Sequence, residues 1–323
     1  MPLQSPCKGG FLEHLVLILA TQRVGSTYFE RGLQHMGGLG RPFEVFSRVR
    51  KDLAAMRDPD AMRALFEERL SMGRTEADGT VGMTMMASYF GLVARAYLGR
   101  TGPKHRNDLA DWLEFWTAFH PRFDRVIAFR LTRDPLDQAI SQLFSEETRV
   151  NHMVDGAPVR LHPQTSRGSL HSLQRIEAPP RMTHVAAVPA LSPRRILKRI
   201  EKLSRQNAEL DAFEAVAGLQ VLRIDYAEAT AAPEETARRI ANHAGGLAAT
   251  MNFAPDTTKV VPQDAAALVK DNLAQYLGLG AADRSTPGSL SAAAVAAASD
   301  KTSVSWRVRR ALQDAARWLA TPR

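Results

Sequence analysis

The sequence predicts an α/β fold of three layers, in which a central parallel sheet is flanked by helices on both faces. Two observations predict it. Short apolar or β-branched segments have the length of buried strands, and segments with helical periodicity lie between them. In addition, a polar turn that contains glycine, serine and threonine directly follows the first apolar segment, as expected where a strand leads into a helix.

Strands and helices can be assigned from these patterns. The predicted strands are residues 15–20, 81–86, 125–131 and 219–224. The predicted helices are residues 29–36, 60–72, 108–119, 135–149, 193–216 and 233–244. Strands that alternate with helices form parallel sheets, whose ligands bind at the carboxyl ends of the strands. Residues 22–27 follow the first strand, so we expect them to lie at a ligand-binding edge.

Composition indicates a globular protein of the cytoplasm. The chain has 323 residues, of which 45% are hydrophobic, and this is enough for a complete core without cross-links. The single cysteine, Cys7, excludes an intramolecular disulfide framework and favours a reducing compartment. No run approaches the ~20 apolar residues of a membrane span, and residues 15–20 lack the basic region and cleavage site of a signal peptide.

The net charge of +8 is compatible with anionic partners. Nucleic-acid binding is not expected, because no zinc-finger, RNP or KH pattern is present and only 7% of the residues are aromatic. Phosphate or sulfate ligands are expected to account for part of the positive charge, and solvated helix faces for most of it. No cluster of metal ligands is visible in the sequence, so no metal is expected.

The chain divides into a main domain and a C-terminal extension. Residues 1–280 are expected to form the domain, residues 281–300 a linker, and residues 301–323 an amphipathic basic helix. The Ala-, Ser- and Gly-rich residues 281–299 could instead form a marginal helix. The C-terminal helix is expected to pack on the domain, with pairing in a homodimer or peripheral contact with an anionic membrane as alternatives. Residues 151–191, which contain several prolines, are predicted to form a long loop or lid.

The turn after the first strand has the composition of an anion site. Gly25 permits a tight turn, and Ser26 and Thr27 can donate hydrogen bonds at the start of a helix. Arg23 adds a permanent, forked positive charge. The P-loop of nucleoside triphosphatases uses the same physics, but its first glycine and its lysine are missing here. The alternative is a plain strand-to-helix turn capped by Ser26 or Thr27.

A second polar motif follows the third predicted strand. Asp134 is a suitable helix cap and Pro135 suits the first helical turn. Arg133 precedes the cap, and Ser141 lies two turns into the helix. An arginine at the end of a strand and a hydroxyl on the next helix can converge on one anion. The alternative is an ordinary helix start, with Ser141 as a packed small residue.

The segments TQRVGST (residues 21–27) and RDPLDQAIS (residues 133–141) together resemble the phosphate-binding motifs of the sulfotransferase family. Members of that family have a P-loop-like three-layer fold and use 3′-phosphoadenosine-5′-phosphosulfate as the sulfuryl donor, with no metal to hold the sulfate. The resemblance implies that the first segment binds the 5′-phosphosulfate and the second binds the 3′-phosphate. The implied donor-binding residues are Gln22, Arg23, Val24, Gly25, Ser26, Thr27, Arg133 and Ser141.

A third segment narrows the group. Residues 40–46, GRPFEVF, resemble the G-x-P-x-E-x-F segment of the Stf0-type carbohydrate sulfotransferases, which include bacterial trehalose 2-sulfotransferase. Residues 222–245 are similar to that group's strand, Tyr-Glu-Asp turn and closing helix, with Tyr226 at the turn. The resemblance implies a carbohydrate or glycolipid hydroxyl as acceptor and Glu44 as general base, with His35 as the alternative base. Members can be dimers, so a homodimer stays open.

The chemistry of sulfuryl transfer assigns a role to the first turn. Negative charge develops on the phosphate oxygen that leaves, and Arg23 is predicted to neutralise it. The helix start at Ser26 and Thr27 is predicted to hold the flanking oxygens, as in phosphoryl transfer. Two other functions stay open. These are a P-loop-like nucleotide-dependent phosphotransferase and a non-catalytic nucleotide-binding member.

Overall fold

The computed structural model describes residues 12–47, 49–75, 79–100, 109–148, 152–154, 157–161, 173–175, 191–255, 257–258, 261, 263–280, 286 and 288–299. Cys7, the predicted C-terminal helix at residues 301–323 and most of the predicted loop at residues 151–191 lie outside these ranges. The predicted division into domains is not tested by the described residues and stays a prediction.

The main sheet contains four parallel strands. They are β1 (Leu12–Ala20), β2 (Val81–Met86), β3 (Phe123–Thr132) and β7 (Val221–Asp225), in the spatial order β2-β1-β3-β7. Strand β1 pairs with β2 on one side and with β3 on the other, so Leu19 lies between Met85 and Arg130. All four predicted strands are therefore confirmed. Side chains of residues 15–20 are fully buried, as expected for a central strand covered on both faces.

Helices connect and cover these strands. In the part of the chain that the structure describes they are α1 (Ser26–Met36), α2 (Arg50–Ala55), α3 (Pro59–Ser71), α4 (Phe90–Tyr97), α5 (Leu109–Phe119), α6 (Pro135–Thr148), α7 (Pro193–Ala217), α8 (Tyr226–Ala231), α9 (Pro233–Ala244), α10 (Gln263–Tyr276) and α11 (Ser289–Ser299), with a 3-10 turn at His120–Arg122. The six predicted helices are confirmed to within a few residues. Helices α2, α4, α8 and α10 were not predicted, and the first three have eight residues or fewer, which is too short for a helical period to be recognised in the sequence. Among the described helices, none is long and apolar enough to cross a membrane.

Two neighbouring residues of β3 show that helices cover both faces of the sheet. Phe129 contacts Phe29 of α1 and His243 of α9, with ring centroids 5.4 and 5.5 Å away. Arg130 points the other way, as successive strand residues do, and its guanidinium donates to Asn207 of α7 at 2.8 Å. The arrangement confirms the predicted three-layer α/β fold with a central parallel sheet. It is also compatible with the P-loop-like fold that the resemblance implies.

The prediction of a long loop at residues 151–191 is wrong in part. This region contains β4 (His152–Val154), β5 (Ala157–Leu161) and β6 (Leu173–Arg175), which join β8 (Thr257–Thr258) in an antiparallel sheet of order β6-β5-β4-β8. These strands have five residues or fewer, and β5 contains a proline, so they carry little strand pattern. The pairing of β4 with β8 joins residues about a hundred positions apart, which local periodicity does not encode.

The segment predicted as a linker or marginal helix ends in a helix. Helix α11 contacts α7, and its side chains Ser291, Ala294 and Ala298 are buried. Ala294 and Ala298 belong to a second hydrophobic cluster with residues of α6, α7 and α10. Small side chains at helical spacing allow close packing of two helices, and this explains why such an alanine-rich segment is ordered against the protein.

Candidate anion-binding site

Loops at the carboxyl ends of the four parallel strands meet at one edge of the main sheet. Arg23 follows β1, Tyr89 follows β2, Arg133 follows β3, and Tyr226 follows β7. The chain leaves β1 towards β2 on one side and then crosses back to β3 on the other side. Such a reversal in strand order is where open α/β sheets bind ligands. Residues 22–27 thus lie at the carboxyl edge of the sheet, as expected, and the segments after all four strands supply side chains there.

The first turn brings backbone amides to this edge. Helix α1 begins at Ser26, and its N-cap is Gly25, with φ 103°. Within the described chain no side chain caps this helix, so the N-cap is Gly25 and not Ser26 or Thr27 as the alternative had it. A helix start without a cap leaves its first N–H groups for other partners, and the helix dipole favours an anion there. Arg23 has φ 66°, which is uncommon for a residue with a side chain.

Arg23 joins the two predicted motifs. Its Nε donates to the Ser141 hydroxyl at 3.4 Å, across 118 positions of the sequence. Arg133 Nη1 donates to the backbone carbonyl of Arg23 at 3.0 Å. Ser141 is 4% exposed and lies on the buried face of α6. The structure thus brings together Arg23, Arg133 and Ser141, which the sequence motifs assigned to two phosphate groups of one nucleotide.

The electrostatics of this cluster favour a bound anion. Burial, and after it the nearby charge of Arg133, lower the pKa of Arg23 to about 10. The charges of Glu44 and Tyr226 oppose the shift. Arg23 is therefore still charged at neutral pH, but in a setting that has removed much of its hydration. A phosphate or sulfate group placed between Arg23 and Arg133 would relieve both the desolvation and the repulsion.

Two glutamines hold α6 against the first turn, and motif reasoning did not assign them a role. The Gln138 amide donates to Thr21 Oγ1 at 2.7 Å and to the Gln22 carbonyl at 2.6 Å. The Gln142 amide donates to Gln22 Oε1 at 2.8 Å. Gln138, Ser141 and Gln142 recur at helical spacing among apolar neighbours, and this signal could have found them. Their hydrogen bonds keep Ser141 beside the first turn.

Tyr226, at the end of β7, packs on both motifs. The Arg133 guanidinium lies 4.7 Å from the centroid of its ring, in a cation–π contact. The ring also covers Gly25, because a Cβ at that position would lie 2.2 Å from Tyr226 Cδ2. Burial raises the pKa of Tyr226, although Arg133 and Arg23 oppose the shift, so the phenol is neutral at physiological pH. Glycine at position 25 is thus required by conformation and by space.

Glu44, the predicted base, lies between α1 and the end of β2. The Ser26 hydroxyl contacts Glu44 Oε1 at 3.5 Å, and the Tyr89 hydroxyl contacts Glu44 Oε2 at 3.4 Å. The carboxylate is half-buried. Its charge raises the pKa of Arg23 and so favours the charged form of that guanidinium. Tyr89 was not identified from the sequence, because it belongs to the short turn between β2 and α4. The alternative in which Glu44 is an exposed loop carboxylate is therefore wrong.

Of the remaining predicted residues, three belong to the first turn and one lies at the far end of α1. Gln22 and Thr27 are half-buried in the first turn, while Val24 is buried beneath it. His35, the alternative base, is exposed in the last turn of α1, at the opposite end of the helix from Ser26. No group of three or more His, Cys, Asp or Glu that could hold a metal ion occurs among the described residues.

The sequence matches no protein-family model and no curated protein. What the site can do chemically follows from its groups. Two guanidiniums, a buried hydroxyl and a helix start without a side-chain cap can bind two anionic groups. A half-buried carboxylate beside them can accept a proton from a neutral hydroxyl.

Proposed function

We propose that this protein is a sulfotransferase that moves a sulfuryl group from 3′-phosphoadenosine-5′-phosphosulfate to a hydroxyl of a carbohydrate or glycolipid. The observation that carries the proposal is the contact of Arg23 with Ser141, together with that of Arg133 with the Arg23 carbonyl. These contacts bring together, at one edge of a parallel sheet, the two segments that the resemblance assigns to the 5′-phosphosulfate and the 3′-phosphate.

The described residues fit the charges of such a donor. In the proposal, the amides at the start of α1 and the Ser26 and Thr27 hydroxyls hold the 5′-phosphosulfate. Arg133 and Ser141 hold the 3′-phosphate, with Gln138 and Gln142 keeping α6 in position. Arg23 lies between the two groups, since it contacts Ser141 through its side chain and Arg133 through its carbonyl. Two forked cations suit a ligand with two anionic groups better than a single lysine would.

The transfer step follows from these positions. The acceptor oxygen forms a bond to sulfur while the bond between sulfur and the bridging phosphate oxygen breaks. Glu44 accepts the proton of the acceptor hydroxyl, and Arg23 neutralises the charge left on the phosphate oxygen. The products are the sulfate ester and adenosine 3′,5′-diphosphate. Ser26 and Tyr89 orient Glu44, because their hydroxyls contact its two carboxylate oxygens.

Nucleotide binding tests the first half of the proposal. We expect titration calorimetry to show that adenosine 3′,5′-diphosphate binds at least about tenfold more tightly than adenosine 5′-monophosphate, since one charge-assisted contact contributes about 1.5 kcal/mol or more. Arg133→Ala should remove this preference. Arg122→Ala, which removes a half-buried arginine paired with Glu67, is the matched control and should leave the preference unchanged. Tighter binding of ATP than of the diphosphate would refute the proposal and favour a phosphotransferase.

Acceptor screening tests the second half. Radiolabelled donor is incubated with sugars, glycolipids and hydroxylated metabolites, and labelled sulfate esters are sought. Glu44→Ala should bind the diphosphate as the unchanged protein does, yet transfer no sulfate. Unchanged transfer by this variant would remove Glu44 as the base. Binding of the diphosphate without transfer to any acceptor would favour a non-catalytic nucleotide-binding protein.

A further inference from the structure

Glu30 is a buried carboxyl group that the proposed transfer step does not use. It lies in the second turn of α1 and is 4% exposed. Its Oε1 is buried and has no hydrogen-bond partner among the described residues. Glutamate is almost never fully buried unless it is paired, so an ionised Glu30 would be costly here. The position therefore favours a neutral, protonated carboxyl group.

The geometry of α1 directs Glu30 towards the segment that carries Glu44. Ser26, Glu30 and Gln34 follow each other at intervals of four residues and share one face of the helix. The two outer members both contact that segment: the Ser26 hydroxyl contacts Glu44 Oε1 at 3.5 Å, and the Gln34 amide donates to the Pro42 carbonyl at 3.0 Å. Glu30 lies between them and hence faces the same segment.

Strand β2 closes the other side of this segment. The Thr84 amide donates to the Phe43 carbonyl at 2.9 Å, so residues 42–44 lie between α1 and β2. Glu44 itself is half-buried and receives the hydroxyls of Ser26 and Tyr89. The two carboxyl groups of this region thus differ in environment. Glu30 is enclosed with an unpartnered oxygen, whereas Glu44 is partly solvated and contacts two hydroxyl donors.

We propose that Glu30 is a positioning residue that carries a proton at neutral pH and thereby leaves Glu44 as the ionised carboxylate of the pair. Two carboxyl groups close together in a poorly solvated site cannot both ionise readily, and the less solvated one keeps its proton. A general base must be ionised before it can accept a proton. The inference rests on the proposed function only in giving Glu44 the role of base.

The surroundings of Glu30 favour its protonated form. Burial, and after it the nearby charge of Glu44, raise the pKa of Glu30 to about 8. The Thr84 hydroxyl and the Arg31 guanidinium oppose this shift, but they are the smaller causes. Because Glu44 is the neighbour that acts on Glu30 most strongly, removing its charge should make Glu30 easier to ionise.

Carbon-13 NMR of protein labelled at glutamate carboxyl carbons tests the proposal without nucleotide or acceptor. Between pH 4 and 10 we expect one carboxyl signal with a midpoint near pH 8, which Glu30→Gln removes, whereas Glu44→Gln removes a different signal. In Glu44→Gln the midpoint of Glu30 should move to lower pH. Glu228→Gln, at an exposed glutamate paired with Arg239, is the control and should change neither midpoint.

Three outcomes would overturn the proposal. They are a basic midpoint that persists in Glu30→Gln, assignment of that midpoint to Glu44, and a Glu30 midpoint that does not move in Glu44→Gln. The shift of the Glu30 midpoint in Glu44→Gln can be measured even if Glu30→Gln does not fold. We expect Glu44→Gln to fold, because Glu44 is only half-buried.

A kinetic readout uses hydrolysis of the donor 3′-phosphoadenosine-5′-phosphosulfate alone. Glu30→Gln, which mimics the protonated form, should hydrolyse it at pH 7 within about threefold of the unchanged protein but without the inflection near pH 8. The same inflection in both proteins would contradict the proposal. The NMR titration decides the protonation of Glu30 whether or not the donor is hydrolysed without an acceptor.

Discussion

The Arg23 side chain donates to the hydroxyl of Ser141 at 3.4 Å, although 118 positions separate the two residues. This contact links the turn after β1 to the helix after β3. Both elements begin at the carboxyl ends of adjacent parallel strands, so the strand order alone brings them together. Two motifs that are far apart in the sequence can therefore bind the same ligand if it has two anionic groups.

Removal of the Ser141 hydroxyl should weaken nucleotide binding selectively. Ser141→Ala is expected to lower the affinity for adenosine 3′,5′-diphosphate by roughly 5- to 20-fold, because about 1–2 kcal/mol of hydrogen bonding to a charged group is lost. Calorimetry should show little change for adenosine 5′-monophosphate. Ser145→Ala, one turn further along α6 and also buried, is the matched control. Equal losses for both nucleotides would show that Ser141 does not distinguish the 3′-phosphate.

Gly25 should tolerate no side chain. Gly25→Ala combines a Cβ at φ 103° with a Cβ only 2.2 Å from Tyr226, so we expect a loss of at least about 3 kcal/mol in the free energy of unfolding. Gly218→Ala is the control, because Gly218 has φ 64° but no atom within 4 Å of an added Cβ. It should cost about 1 kcal/mol. Equal losses in urea-induced unfolding would mean that Tyr226 moves aside freely.

The Tyr89 hydroxyl should matter for turnover and not for donor binding. Tyr89→Phe removes the contact with Glu44 Oε2 but keeps the buried ring, so we expect a fall in kcat of about three- to tenfold with an unchanged Kd for adenosine 3′,5′-diphosphate. Tyr97→Phe is matched to it, since it removes a hydroxyl that donates to the Ala118 carbonyl away from the site. A comparable fall in kcat in Tyr97→Phe would indicate a general effect on structure.

Glu30 should make folding stability depend on pH. The pKa of Glu30 is raised to about 8, above its value in the unfolded chain, so the folded state binds one proton more over the interval between the two values. This contribution to stability is complete below the unfolded pKa and is lost as pH rises to about 8, by about 1.4 kcal/mol per pH unit. Urea unfolding from pH 5 to 8 should show a steeper decline for the unchanged protein than for Glu30→Gln. Parallel curves would contradict the prediction.

The Arg130 side chain should stabilise the opposite face of the sheet. It is 1% exposed, and its Nε lies 3.1 Å from Glu214 Oε1. Arg130→Met should cost about 3 kcal/mol of unfolding free energy, because Glu214 stays buried without this partner. Arg63→Met, which breaks an exposed ion pair with Asp60, should cost less than about 1 kcal/mol. If Arg130→Met and Arg63→Met lose similar free energies of unfolding, the ion pair of Glu214 with Arg223 is sufficient to stabilise the buried carboxylate without Arg130.

Parts of the fold and the site were predictable because their signals are local. The four strands of the main sheet show as short apolar runs, and α9 begins at a proline and ends before a glycine, as helices often do. The Asp134 cap was also predictable, and its Oδ1 accepts the Asp137 amide at 2.9 Å. By contrast, Tyr89 and Gln138 carry no motif of their own, since their importance comes from the loops that the fold places beside them.

The sequence by itself determined the α/β class, the position of the Gly-Ser-Thr turn after β1 and the helix start of the second motif, because strand length, helical period and capping depend on neighbouring residues. Only the tertiary structure decided that Arg23 contacts Ser141, that Tyr226 covers Gly25, and that Glu30 is buried with one carboxyl oxygen unpartnered. Such contacts depend on the order of strands in the sheet and on the packing of α1, α6 and β7 against each other. Residues one hundred positions apart therefore form one site that no local pattern encodes.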